Sequence, residues 1–242
     1  MKGYKNLYIN GCSFTAGHTL PEEKTWPVLL SKKLNLNLIN QSKNGNSFQS
    51  IVFNSVNHLS HLDSKDTLVI IGTTYASRYM IQFKKGVVNI TSGDLSGPKG
   101  KVKSESRLST YRRFSSPYFI SREKLNIARS DINSDEVEIV LNNFVRYYDS
   151  LIKYDTDLKD NQSLNLISNL ILLQSFLKEN NFNYGFVRPS GDVIDLHLPI
   201  NKKLDRTRII PLGNDVIDNS TKHPGEKGCI EISEKVYDFI NR

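Results

Sequence analysis

Asp66-Thr67-Leu68-Val69-Ile70-Ile71-Gly72 constrains this chain more than any other stretch. It is a continuous run of β-branched and apolar residues closed by a glycine. It is too short for a helix and does not alternate, so both of its faces must be buried, as in a central strand of a parallel sheet. Parallel strands cannot be joined by a hairpin. Each crossover needs a dozen or more residues, usually a helix.

The segments before it supply those parts. Residues 5–10 and 36–40 read as strands. Between them Trp26, Leu29, Leu30 and Leu34 recur at helical spacing over residues 22–34, with Pro27 tolerated in the first turn. Ile51, Val52, Ser55 and Leu59 mark a second helix over residues 47–62. The order β-α-β-α-β predicts an α/β protein with helices on both faces of a mainly parallel sheet. The regularity then breaks. Residues 73–134 carry turn clusters such as Ser96-Gly97-Pro98-Lys99-Gly100, and residues 87–91 read as a strand of an excursion hairpin. We expect one domain over 1–242, with an irregular basic insertion at about 79–133 that caps the strand ends. Helices are expected over residues 135–154 and 159–180, a strand over 182–187, and a last helix from Pro224 through Ile230, Ile232, Val236 and Phe239. Residues 208–211 read either as a fifth strand or as a docked loop.

Charge and composition bound the function classes. Apolar residues make up 38% and charged residues 24%, which describes a folded globular chain. No apolar run is long enough to span a bilayer. Residues 1–6 lack the apolar core of an export signal, and Cys12 and Cys229 without such a signal fit a reducing compartment, so the expected location is cytoplasmic. Of the net charge of +7, much sits between Phe83 and Phe114, where eight basic residues face only Asp94 and Glu105. Such a run is ordinarily a solvated loop; its functional reading is a patch for an anionic polymer. Nucleic-acid recognition rests on charge alone and ranks last.

The polar punctuation falls where strands end. Tyr8-Ile9-Asn10-Gly11-Cys12-Ser13-Phe14-Thr15-Ala16-Gly17 ends a strand in Gly-x-Ser and turns into a helix. Such a turn lifts a serine hydroxyl to the carboxyl edge of the sheet, where α/β proteins bind ligands, and leaves backbone N–H groups for a negative oxygen. Ser13 is the candidate nucleophile; the same residues also read as a plain turn. Cys12 is expected to point into the core. Gly45 and Asn46 follow the second strand, and Thr73, Thr74 and Tyr75 the third. His223-Pro224-Gly225-Glu226-Lys227-Gly228 puts a histidine on a loop just before a helix, where it can serve as the base that a serine nucleophile requires. His58 and His61 have metal-like spacing but no evident third ligand, so no metal is expected. Asp195-Leu196-His197 lacks the helix start of His223, and His18 is too near Ser13 in sequence for an ordinary base.

In that order, Gly-x-Ser-Phe-Thr-x-Gly, then Asn44-Gly45-Asn46-Ser47, then His-Pro-x-x-x-Gly, the chain resembles the SGNH (GDSL-like) hydrolase superfamily. Trp26-Pro27-Val28-Leu29-Leu30 is similar to the helix that often follows the nucleophile turn in these enzymes. The resemblance spans both chain ends and residues 42–72, but not residues 79–133. It implies a flavodoxin-like three-layer α/β/α sandwich and cofactor-free ester hydrolysis. Ser13 would be the nucleophile and an oxyanion donor, Gly45 a second donor and His223 the general base. The family's third-block asparagine is absent. Thr74 stands near its slot, and Asn46 is the alternative donor. The usual acid two or three residues before the histidine is replaced by Thr221 and Ser220, which leaves Asp218 as candidate acid or else a Ser-His dyad. Arg78 and Tyr75 are candidate substrate contacts. The expectation is a serine esterase for small acyl esters, with O-acetyl groups on a carbohydrate suggested by family analogy. The alternative is a weak or inactive SGNH-like protein that binds an anionic polymer or a protein partner.

Overall fold

A computed structural model of the protein describes residues 3–18, 20–74, 79–83, 86–90, 158–188, 199–218, 220 and 223–242. The chain separates into two compact units, Met1–Ala76 with Ser163–Arg242, and Ser77–Gln162. Within the second unit, β4 (Tyr79–Phe83) and β5 (Gly86–Ile90) pair as an antiparallel hairpin. The expected hairpin strand over 87–91 thus corresponds to β5, with β4 as its partner. The expected helix over 135–154 and most of the basic run lie outside the described residues.

The first unit holds a five-stranded sheet made of β1 (Asn6–Asn10), β2 (Asn37–Asn40), β3 (Thr67–Gly72), β6 (Asn183–Arg188) and β7 (Ile209–Pro211). The order is β2-β1-β3-β6-β7 and every pairing is parallel. This is the flavodoxin-like order, whose switch point lies where successive connections leave to opposite sides, beside β1 and β3. Residues 209–211 are therefore a short edge strand. No residue of β3 is exposed, as its continuous apolar sequence requires.

Alternation along the strands sends side chains to two cores. Tyr8, Val69, Ile71, Tyr184 and Phe186 meet α3 (Phe48–Leu59) and the apolar face of α4 (Leu158–Glu179). Leu7, Ile9, Leu68, Ile70 and Val187 meet α2 (Trp26–Leu34) and α5 (Glu226–Ile240). The result is a three-layer α/β/α sandwich. The helix over 22–34 is divided: Glu22–Lys24 form a single 3-10 turn, and extended Thr25 precedes Trp26. Among the described residues no helix is long and apolar enough to cross a membrane.

Packing is close at the carboxyl edge. The short helix α1 (Ser13–Ala16) sits directly on the ends of β1 and β3. A methyl group added to Gly11 or to Gly72 would overlap the Thr15 hydroxyl. Gly17, at φ +73°, closes α1 in the left-handed region, and a methyl there would overlap Thr25 Cγ2. Glycine is thus needed at 11 and 72 for space, and at 17 for space and backbone conformation together.

Gly72→Ala should lower unfolding free energy by about 1–3 kcal/mol, the usual cost of forcing extra volume into a packed core. Combining it with Thr15→Ala, which removes the overlapping hydroxyl, should recover part of that loss. Urea unfolding of the two single variants and the double variant checks this; strictly additive losses would contradict the contact.

Candidate active site

Gly11 and Cys12 carry the chain out of β1, and α1 begins at Ser13. Thr15 and Ala16 N–H groups both bond to the Cys12 carbonyl, at 2.9 and 2.8 Å. Ser13 therefore stands at the first position of a helical turn, where backbone N–H groups lack intrahelical acceptors. Cys12 is fully buried with Sγ 3.9 Å from the Thr73 carbonyl, so it points into the core while Ser13 faces the sheet edge.

Buried amides hold this turn. Asn10, with no exposed surface, accepts the Gly11 N–H on Oδ1 at 2.8 Å. Its Nδ2 donates to the Ile51 carbonyl at 3.2 Å and to Ser55 Oγ at 3.0 Å, which ties the end of β1 to α3. Tyr8 also donates to Ser55 Oγ, at 3.4 Å; burial raises its phenol pKa, so it stays a donor. The Gly11 carbonyl accepts from Asn46 Nδ2 and from the Lys43 N–H, each at 3.1 Å. These bonds dock the loop after β2 onto the nucleophile turn. Gly45 lies within that loop at φ +80°. On the far side of α1, Trp26 Nε1 donates to the Phe14 carbonyl at 3.1 Å.

His223 arrives from the other end of the sequence. Its Nε2 lies 2.9 Å from Ser13 Oγ. Ile217 and Pro224 form an antiparallel bridge, and the Asp218 N–H bonds to the His223 carbonyl at 2.8 Å. The motif glycine explains itself here. A methyl on Gly228 would overlap the Val216 carbonyl, so only glycine lets the first turn of α5 pack against the 3-10 turn Asn214–Val216. The histidine loop is thereby held between that turn and the start of α5.

Asp218 is near His223, but its Oδ1 accepts the Ser220 N–H at 2.7 Å and the Ser220 hydroxyl at 2.6 Å. The described link between Asp218 and His223 is the main-chain bond. Thr74 is fully buried at the end of β3, and its hydroxyl has no hydrogen-bond partner. Tyr75, Arg78, Asp195 and His197 lie outside the described residues. His58 and His61 lie at the exposed end of α3, and among the described residues no group of three ligands forms around them. His18 is the residue that sequence reasoning set aside and the structure brings in: its ring centroid is 4.8 Å from that of His223. Asn10 carried no signal beyond its place at the end of a strand.

These features define a flavodoxin-like α/β protein with a serine and a histidine in hydrogen-bond contact at the carboxyl edge of its sheet. No protein-family model matches the chain, and no curated protein matches it in sequence. Solved structures do match. One is a carbohydrate esterase described as having divergent catalytic and non-catalytic binding functions, at TM-score 0.51 and 10% identity, over 100% of this chain and 70% of that one. The psychrotrophic esterase EstA from Pseudoalteromonas sp. matches at TM-score 0.49 and 14% identity, over 98% of this chain and 97% of that one. A member of the lipolytic G-D-S-L family from Veillonella parvula matches at TM-score 0.37 and 15% identity, over 98% and 99%. The likeness to the carbohydrate esterase is one of fold, and it agrees with the fold implied by the sequence resemblance.

Asn10→Ala removes three hydrogen bonds from a buried site and should cost about 2–4 kcal/mol, since each stranded buried partner costs about 1–3 kcal/mol. Denaturant unfolding reads that loss. The two thiols provide a second check. Cys12 and Cys229 are both buried, and burial raises the Cys229 pKa, which disfavours the Cys229 thiolate. Native protein should resist iodoacetamide at pH 8, and rapid alkylation would contradict the placement of Cys12 behind the turn.

Proposed function

We propose that the protein is a serine esterase in which Ser13 is the nucleophile and His223 the general base. The observation that carries this reading is the 2.9 Å contact between His223 Nε2 and Ser13 Oγ, made by residues 210 apart in sequence. A serine hydroxyl is a weak nucleophile until a base takes its proton. With Nε2 unprotonated, His223 accepts that proton as Oγ attacks the acyl carbon. The carbonyl oxygen becomes an oxyanion. Donors for it are the Ser13 N–H at the start of α1, the Gly45 N–H in the loop held by Asn46, and the Thr74 hydroxyl. A buried hydroxyl without an acceptor is costly, and an oxyanion would supply that acceptor. The intermediate then collapses. The ester C–O bond breaks, the alcohol leaves with the proton from His223, and the acyl group stays on Ser13 Oγ. Water, deprotonated by His223, attacks that acyl group and releases the acid.

Asn46 uses one amide donor on Gly11, which favours it as the brace of this loop over a direct oxyanion donor. The Asp218 N–H holds the histidine loop, and Asp218 stays the candidate acid of a triad, with a Ser-His dyad as the alternative. Tyr75 and Arg78 follow β3 in sequence and remain candidate contacts for the substrate's alcohol portion. Small acyl esters, with O-acetyl groups on a glycan, are the substrate class. That choice draws on the fold shared with a carbohydrate esterase and on the sequence resemblance. The alternative is a non-catalytic protein that binds a polymer or partner in the same cleft.

A fluorophosphonate probe should label Ser13, and p-nitrophenyl acetate should be hydrolysed. Ser13→Ala or His223→Ala should each lower kcat by at least about a thousandfold, as loss of one member of such a unit does. Activity should fall on acidification, because a protonated His223 cannot take the serine proton. Wild-type hydrolysis no faster than that of Ser13→Ala, with no labelling, would establish the binding reading instead.

A further inference from the structure

We propose that the protein has a second ligand site, at the amino edge of its sheet, that takes a small organic anion: a carboxylate head on an apolar body. The site is an open cavity of about 710 Å³, a size within the span of small-molecule pockets. All of its lining residues belong to the unit that holds the sheet. It exists because β7 is short. Ile209–Pro211 pair with Phe186, Val187 and Arg188, so Asn183, Tyr184 and Gly185 have no strand beside them on the side away from β3. The end of α5 covers part of that gap. Phe239 packs on Gly185, where a methyl would come within 2.8 Å of its ring. Leu68, Ile70, Ile209, Phe239 and Ile240 give the cavity an apolar lining. Ser13 and His223 stand at the opposite, carboxyl edge of the same sheet.

Charge selects the ligand. Arg206, Arg208 and Arg242 line the cavity against one acid, Asp205. That acid is already engaged. Its Oδ2 pairs with Lys178 Nζ at 3.2 Å, and its Oδ1 accepts from the Thr207 N–H at 3.2 Å and the Thr207 hydroxyl at 2.6 Å. None of the described ion pairs includes the three arginines. Arg208 is braced by neutral groups. Its Nη1 donates to Asn183 Oδ1 at 3.0 Å, and its guanidinium carbon lies 5.2 Å from the Tyr184 ring centroid. The Nε and Nη2 edge of this fixed fork has no described bond, and such an edge grips a carboxylate with two parallel bonds. Arg206, exposed beside it, adds a second cation. Tyr184 lines the same cavity, and its buried hydroxyl has no hydrogen-bond partner. Burial first, and Asp205 second, raise its pKa to about 12, so it stays a neutral donor and not a competing anion. An inorganic ion would satisfy the arginines and leave the apolar lining wet, so the ligand needs both parts.

The test titrates the full chain with two probes of one shape, 1-naphthaleneacetate and its neutral amide, 1-naphthaleneacetamide. In ¹⁵N–¹H spectra the acid should shift the amides of residues 183–185, 207–209 and 239–242 saturably, with a millimolar or tighter dissociation constant, as a ligand of this size allows. The neutral amide should bind about tenfold or more weakly, the loss of a charge-assisted bond. Acetate, which lacks the apolar body, should be as weak. Arg206→Glu should weaken the acid about tenfold and leave the thermal midpoint unchanged, as expected for an exposed side chain. Ser13→Ala should bind the acid as wild type does, so this site is decided separately from the esterase reading. Equal binding of the two probes overturns the proposal. So does acid binding that never saturates or that is unchanged in Arg206→Glu, and so do shifts confined to the segments around Ser13 and His223.

Discussion

Everything at the candidate site depends on how closely α1 can approach the sheet. A helix of four residues has almost no stability of its own, since nucleation is costly and only a bond or two repays it. It persists because Thr15 is wedged between the ends of β1 and β3 over Gly11 and Gly72, which offer no Cβ. That contact sets where Ser13 stands. It also sets where the first N–H groups of the turn point, and so couples the candidate nucleophile and its candidate oxyanion donor to one steric fit.

Around that wedge the polar groups do different work. Asn10, Asn46 and Trp26 each spend a side-chain donor or acceptor on backbone atoms of the nucleophile turn. None of these side chains touches Ser13 Oγ in a described bond. They satisfy backbone groups that would otherwise be buried unpaired, and in doing so they make the turn rigid. The electrostatics are quiet by comparison. The described ion pairs lie outside this network, on side chains that are exposed or partly so, as between Lys24 and Glu226 or Lys5 and Asp66, and pairs of that kind contribute little to stability. Order at the site comes from neutral hydrogen bonds and sterics, which salt does not screen.

Much of this was legible in the sequence, and for a physical reason. The continuous apolar strand, the helical periods of Trp26 to Leu34 and Ile51 to Leu59, and the glycines at strand ends are local signals of a parallel three-layer sheet and of its carboxyl edge. Ser13 and His223 were found the same way, from a strand-to-helix turn and a proline-started helix. What escaped is non-local. The partition of residues 22–34 turns on Thr25 packing against Gly17, and the third face of the histidine site turns on His18 reaching a loop more than 200 residues away. His18 was discounted because bases ordinarily come from distant sequence. The short pairing of Ile209 to Pro211 was ambiguous because three residues carry no period to read.

The fate of Asp218 follows from its loop. Asp218 lies five positions before His223, a longer spacing than the two or three expected from the sequence resemblance. The antiparallel bridge of Ile217 to Pro224 and the bond from Asp218 N–H to His223 O close that longer loop like a hairpin. With the backbones paired in this way, the carboxylate's described partners are the N–H and hydroxyl of Ser220, two residues on, in an Asx-type turn.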